Sequence, residues 1–109
     1  MNIGIVGLGL IGGSFAKAYK HAGEHTVYGF DIDRKILDFA MLDGAVDQVL
    51  NVQNLEQCDL LLLCVYPDRA IEYLEEAAPH ILPKTVVIDC CGTKQNVCRE
   101  CFKLAEKYI

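Results

Sequence analysis

The chain has 109 residues, of which 52% are hydrophobic and 23% charged, and its formal net charge is −5. That is the size of one domain, and the apolar fraction is ample for a core, which excludes intrinsic disorder. An acidic chain without a Lys/Arg cluster is a poor partner for nucleic acid or an anionic membrane surface, and its longest apolar run, residues 60–66, is too short to span a bilayer.

The hydrophobic pattern alternates between short β-type runs and helical segments. Asn2–Val6 is expected to be a buried strand, followed by a glycine-rich turn over 7–13. Ile11, Phe15, Ala18, Tyr19 and Ala22 then recur at helical spacing, and Gly23 supplies the stop. A second strand, Thr26–Phe30, ends at Asp31. Ile36, Leu37, Ala40 and Met41 mark a second helix that stops near Gly44, and 47–50 forms a short third strand. Residues 60–65 show no polar alternation, the pattern of a strand covered on both faces. Pro67 ends that strand, Asp68 is placed to cap the next helix, and Ile71, Leu74, Ala78 and Ile81 form its inward stripe until Pro83 closes it. A fifth strand over 85–88 ends at Asp89, and a last helix over 95–108 turns Val97, Cys101, Phe102 and Ala105 inward. Strand–helix alternation of this kind predicts an α/β fold: a doubly wound parallel sheet of the Rossmann type, three layers with helices on both faces, as one domain over 1–109.

Six cysteines raise the question of a disulfide or metal scaffold. Cys64 stands inside the apolar run, where a thiol behaves as a small hydrophobe. No basic export signal precedes the first strand, so a reducing, cytoplasmic setting is expected. A zinc site on Cys90, Cys91, Cys98 and Cys101 would need four convergent thiolates. Cys98 and Cys101 fall on a helix instead, and adjacent Cys90 and Cys91 point apart at a strand end, so no metal site is expected. His21, His25 and His80 are read as surface residues.

Gly7-Leu8-Gly9-Leu10-Ile11-Gly12 is a G-x-G-x-x-G run, here placed between a strand and a helix. Gly7 permits a tight turn, Gly9 lets the backbone approach a pyrophosphate, and Gly12 lets the helix pack against the strand. The helix start then faces the anion with free N–H groups and its positive dipole end. Asp31 stands 19 residues beyond Gly12, at the end of the second strand. A carboxylate there accepts the hydroxyls of an adenosine ribose and repels a 2′-phosphate, which favours NAD over NADP. Arg34 could reach such a phosphate, but it is read as a solvated first-turn residue, and Asp33 as the N-cap of the second helix. Ile32, Asp33, Tyr66 and Pro67 lie in turns at the carboxyl ends of strands, where a cofactor binds.

The stretch Ile3-Gly4-Ile5-Val6-Gly7-Leu8-Gly9-Leu10-Ile11-Gly12-Gly13-Ser14-Phe15-Ala16, with its doubled Gly12-Gly13 followed by Ser14, resembles the start of prephenate/arogenate dehydrogenases. Asp31-Ile32-Asp33, the strand leading into Val65-Tyr66-Pro67, and Asp89 followed by Gly92-Thr93-Lys94 resemble the same family. The similarity covers essentially the whole chain, as the family's N-terminal nucleotide-binding domain. It implies an NAD-dependent oxidative decarboxylation of prephenate or arogenate on the route to tyrosine, with Val65, Tyr66 and Pro67 on the cofactor and Gly92, Thr93 and Lys94 on the substrate side. It also implies a helical second domain, absent from this chain, that completes the substrate pocket and forms a homodimer. The family's catalytic histidine lies in a His-Pro segment; none of His21, His25 and His80 precedes a proline, so no catalytic residue is carried over. Gly92 replaces the serine that many members place before the Thr93-Lys94 equivalent. The chain alone is therefore expected to bind NAD and not to turn over prephenate. Two other readings stay open: the nucleotide domain of another NAD(P)-dependent dehydrogenase, of the 3-hydroxyacid or imine reductase type, and a non-enzymatic NAD-sensing module.

Overall fold

The apolar runs pair side by side because neither face of such a run tolerates water. In the computed structural model, which describes residues 1–90, the elements are β1 (Asn2–Val6), α1 (Leu10–Ala22), β2 (Thr26–Phe30), α2 (Arg34–Leu42), β3 (Gln48–Val49), β4 (Leu60–Leu63), α3 (Pro67–Ala77) and β5 (Val86–Asp89). Single 3-10 turns occur at Asn54–Gln57 and Ala78–His80. The strands form one sheet in the order β3-β2-β1-β4-β5, and every pairing is parallel. β1 is central, with Ile3 opposite Val27 on one side and Leu60 on the other. The doubly wound α/β architecture expected from the sequence is the one observed.

Alternate residues of each strand serve the two faces. Ile3, Ile5, Val27, Leu60 and Leu62 pack with Ala16 of α1 and with Leu37 and Ala40 of α2. Val6, Tyr28, Leu61 and Leu63 pack with Leu55, Cys58 and the α3 residues Ala70, Leu74 and Ala77. The chain winds outward from β1 in two directions with one crossover hand, so α1 and α2 cover one face and α3 the other.

β1 and β2 have the expected bounds, whereas several other elements differ. The inner face of α1 carries Gly12 and Ala16, not the larger residues of the expected stripe: Ile11 is 52% exposed and Phe15 37%, and Ala18 and Ala22 are also exposed. The helix lies so close to the sheet that only its smallest residues fit beneath it. In α2, Leu37 and Ala40 face the core as expected, while Ile36 is exposed. β3 is two residues long, and β4 ends at Leu63, although the Cys64 N–H still reaches the Val6 carbonyl at 2.8 Å. Tyr66, not Asp68, is the N-cap of α3; Pro67 takes the first helical position and Asp68 sits in the first turn. The helix ends at Ala77 rather than at Pro83, because Pro79 lacks the N–H that the next turn needs. Its inward residues are Ala70, Leu74 and Ala77, with Ile71 half-buried. β5 starts one residue later than expected, at Val86. His25 is half-buried, with its ring edge-to-face against Tyr19 at 5.4 Å. The expected helix over 95–108, together with Cys91, Gly92, Thr93, Lys94, Cys98 and Cys101, lies outside the described residues.

Candidate nucleotide-binding site

At the carboxyl ends of the central strands the glycines shape a turn that other residues cannot make. Gly7 has φ +91°, and a Cβ there would meet the Cys64 carbonyl oxygen at 2.5 Å. Its N–H donates to the Phe30 carbonyl at 2.8 Å, which extends the β1–β2 pairing beyond the strand end. Gly12 lies in the first turn of α1, and a Cβ there would overlap the Gly7 carbonyl oxygen. Gly9 is different, because a Cβ there would have nothing within 4 Å. The backbone at Gly9 therefore borders open space, as an approaching anion requires. Gly9 is also the N-cap of α1, where no side chain caps the helix and no acidic residue occupies the first turn. No residue of α1 itself therefore offsets the positive end of its dipole.

Asp31, just past β2, is brought directly to this turn. Its Oδ2 accepts the Leu8 N–H at 2.8 Å, and its Oδ1 accepts the Asp33 N–H at 2.8 Å. Leu8 contributes no side chain to the surface, since it is buried in the core beneath α1. Asp33 caps α2 as expected, its side chain accepting from the Lys35 N–H at 3.0 Å. Arg34 is exposed and its Nε donates to Asp38 one turn down the same helix, at 3.1 Å.

Beside Asp31 opens a cleft of about 300 Å³, lined by Val6, Gly7, Phe30, Asp31, Ile32 and Val65 from the sheet ends and by Arg69, Glu72, Tyr73 and Glu76 from α3. Gly7, Asp31, Ile32 and Val65 are thereby brought together as the sequence suggested. Gly9, Leu10 and Ile11 follow Gly7 in the chain and are exposed, outside the cleft's lining, and Tyr66 is exposed at the start of α3. The α3 wall escaped sequence reasoning. Its signal was present, since residues 69, 72, 73 and 76 share one side of a helix that begins directly after β4. Burial, with the nearby Cys58, raises the ionisation of Tyr73 well above the ordinary phenol range, so its hydroxyl remains a proton donor. Cys58 itself is pushed up to about 11 by burial, and further by the Asp59 carboxylate, against the opposing pull of Lys84.

The opposite end of the sheet carries stabilising ionic ties. Asp47 accepts both from Lys20, at 2.9 and 3.0 Å, and from the Val27 N–H at 2.8 Å. Asp59 accepts the Asn2 N–H at 2.8 Å and faces Lys84 at 3.7 Å. Among the described residues no group of three or more His, Cys, Asp or Glu is arranged to hold a metal ion, and no helix is long and apolar enough to cross a membrane.

Known proteins carry the same fold. The family model for the nucleotide-binding domain of prephenate dehydrogenase matches residues 15–109. Among solved structures, arogenate dehydrogenase from Synechocystis superposes with a TM-score of 0.87 at 28% identity, covering 95% of this chain and 37% of that one. Prephenate dehydrogenase from A. aeolicus, solved in complex with hydroxyphenyl propionate and NAD+, gives 0.86 at 24% identity, covering 99% of this chain and 39% of that one. At the level of fold alone, 3-hydroxyisobutyrate dehydrogenase from Mycobacterium tuberculosis gives 0.86 at 22% identity, covering 98% and 37%. The chain thus spans well under half the length of these three structures. The matched family model covers most of the sequence, and the chain belongs to the prephenate dehydrogenase family, as its nucleotide-binding domain.

Proposed function

We propose that residues 1–109 form the NAD-binding domain of a prephenate or arogenate dehydrogenase. The whole protein would decarboxylate prephenate oxidatively to 4-hydroxyphenylpyruvate, or arogenate to its amino counterpart. The observation that carries this reading is the turn after β1, in which an uncapped helix start and the open backbone at Gly9 stand next to the Leu8 N–H that the Asp31 carboxylate holds, with Gly7 and Asp31 also lining the cleft. Those groups fit the three parts of a dinucleotide's adenosine half. The α1 N–H groups and dipole meet the pyrophosphate, Asp31 meets the ribose hydroxyls, and the space between Ile32 and α3 takes the flat base. Bound NAD supplies the hydride acceptor. The chain's residues bind it, orient it and exclude a 2′-phosphate next to Asp31.

The family match, the arogenate dehydrogenase from Synechocystis and the NAD+ complex of the A. aeolicus enzyme support the choice of NAD and of prephenate or arogenate as substrate. Gly92, Thr93 and Lys94 follow β5 on the substrate side, with Lys94 meeting a carboxylate of substrate or a cofactor phosphate. A His-Pro segment beyond β5 and the helix expected after it supplies the catalytic histidine, a second, helical domain completes the substrate pocket and forms the homodimer contact, and the enzyme works in the cytoplasm. Calorimetric titration of the chain with NAD and NADP tests the reading. NAD should bind weakly and NADP more weakly still, and the chain alone should leave prephenate unchanged. Absence of any NAD heat at millimolar ligand would overturn it.

A further inference from the structure

We propose that Asp31 is also the positioning residue of the phosphate turn, so that recognition of the sugar and of the pyrophosphate forms one mechanical unit. This rests on the dinucleotide reading above and goes beyond the ribose contact. β1 and β2 stop pairing through their backbones after the Gly7 N–H meets the Phe30 carbonyl. One residue later the strands diverge, and the next donor, the Leu8 N–H, is met by the Asp31 side chain instead, at 2.8 Å. The carboxylate therefore supplies the rung that the backbone no longer can. Its second oxygen accepts the Asp33 N–H at 2.8 Å, which ties the same group to the start of α2.

Leu8 is buried and its N–H bond to Asp31 is partly buried, so loss of the carboxylate leaves a partly desolvated donor without its protein partner. Gly9, the next residue, is the open backbone position that faces the anion. The height and tilt of the Gly9–Leu10 peptide are thus fixed on one side by Asp31 and on the other by the Gly7–Gly12 contact. A carboxylate has about four acceptor positions, and two backbone donors leave room for two ribose hydroxyls. Binding the sugar and holding the turn are compatible, but they cannot be removed separately. Replacing Asp31 to admit a 2′-phosphate would therefore loosen the phosphate cradle at the same time.

The test separates the two roles by removing the ribose hydroxyls from the ligand. ADP and 2′,3′-dideoxy-ADP are titrated into the unaltered chain and into Asp31→Ala and Asp31→Asn. The dideoxy nucleotide cannot be held by the carboxylate through ribose hydroxyls, yet Asp31→Ala should weaken it by about tenfold, the effect of releasing a partly buried amide next to the anion. Asp31→Asn, which keeps one acceptor, should fall between. Equal dideoxy-ADP affinity in the unaltered and variant chains would overturn the proposal while leaving the dinucleotide reading intact. Failure of the unaltered chain to bind either nucleotide would overturn both. Amide exchange in the unaltered chain does not depend on how the variants fold: the Leu8 N–H should be strongly protected, and exchange there at the rate of an open loop would overturn the proposal.

Discussion

Gly12 packs directly over the carbonyl of Gly7, so closely that any side chain at Gly12 would occupy the position of that oxygen. The contact joins the first turn of α1 to the last residue of the β1 approach, and it sets how near the helix start comes to the sheet. Gly12→Ala should therefore force the helix away and cost about 2–3 kcal/mol in denaturant unfolding. Nucleotide affinity should fall in the same variant.

Gly9 lies two residues beyond Gly7 and behaves in the opposite way. It has φ −70°, and a Cβ there points into open space. Gly9→Val should leave the unfolding midpoint within about 0.5 kcal/mol of the parent and yet abolish NAD binding, because the new side chain fills the anion's space. A calorimetric titration that still detects NAD would refute the assignment of the turn.

Tyr73 joins the core to the cleft. It packs on the cluster beneath α3 and lines the cavity beside Asp31. Tyr73→Ala should cost about 3 kcal/mol of stability and weaken ADP. Tyr73→Phe should keep the packing, so any loss of ADP affinity in that variant measures the hydroxyl alone.

Arg34 is 82% exposed and directed along α2 to Asp38. Exposed pairs of this kind contribute about 0.5 kcal/mol or less. Arg34→Ala should change neither stability nor the NAD to NADP preference. A drop in NADP affinity specific to this variant would show that the guanidinium reaches the cofactor.

Two titratable groups give pH signatures of opposite sign. Cys58 is fully buried and its thiol is pushed up to about 11, so the neutral form is the native one. Its contribution to stability is complete below the ordinary thiol value and is lost as pH rises through about 11. Iodoacetamide at mildly alkaline pH should spare Cys58 in the folded chain and label it in urea, as read by peptide mass. Burial works to raise Asp47, but the Val27 N–H and Lys20 outweigh it, and its carboxyl lies below the usual range. The stability it adds is present above the ordinary carboxylate value and lost as pH falls through the depressed one. Asp47→Asn should cost about 1 kcal/mol at neutral pH, and the difference should vanish in acid.

β1 and β2 are readable from the sequence to the residue because turn formers, Gly7 and Asp31, bound uninterrupted apolar runs. The sheet class is readable for the same reason. The inner face of α1 is not, because hydrophobicity points to Ile11 and Phe15 whereas close packing on the sheet admits only Gly12 and Ala16. The glycine turn and Asp31 are legible as separate signals. Their hydrogen bond is not, since it depends on where two strands diverge. The α3 wall of the cleft is also hidden, because Arg69, Glu72 and Glu76 look like an ordinary solvated face until the sheet places them opposite Asp31.

The central position of β1 also bears on how the chain is made. It is synthesised before both of its partners, yet its register is set by Thr26–Phe30 on one side and by Leu60–Leu63 on the other. Its greasy residues must wait, half-satisfied, until more than half of the described chain has been synthesised, and the phosphate turn that β1 ends in cannot take its final shape until then. Shielding of that nascent strand, rather than the strength of any one contact, should govern the yield of native protein in the cell.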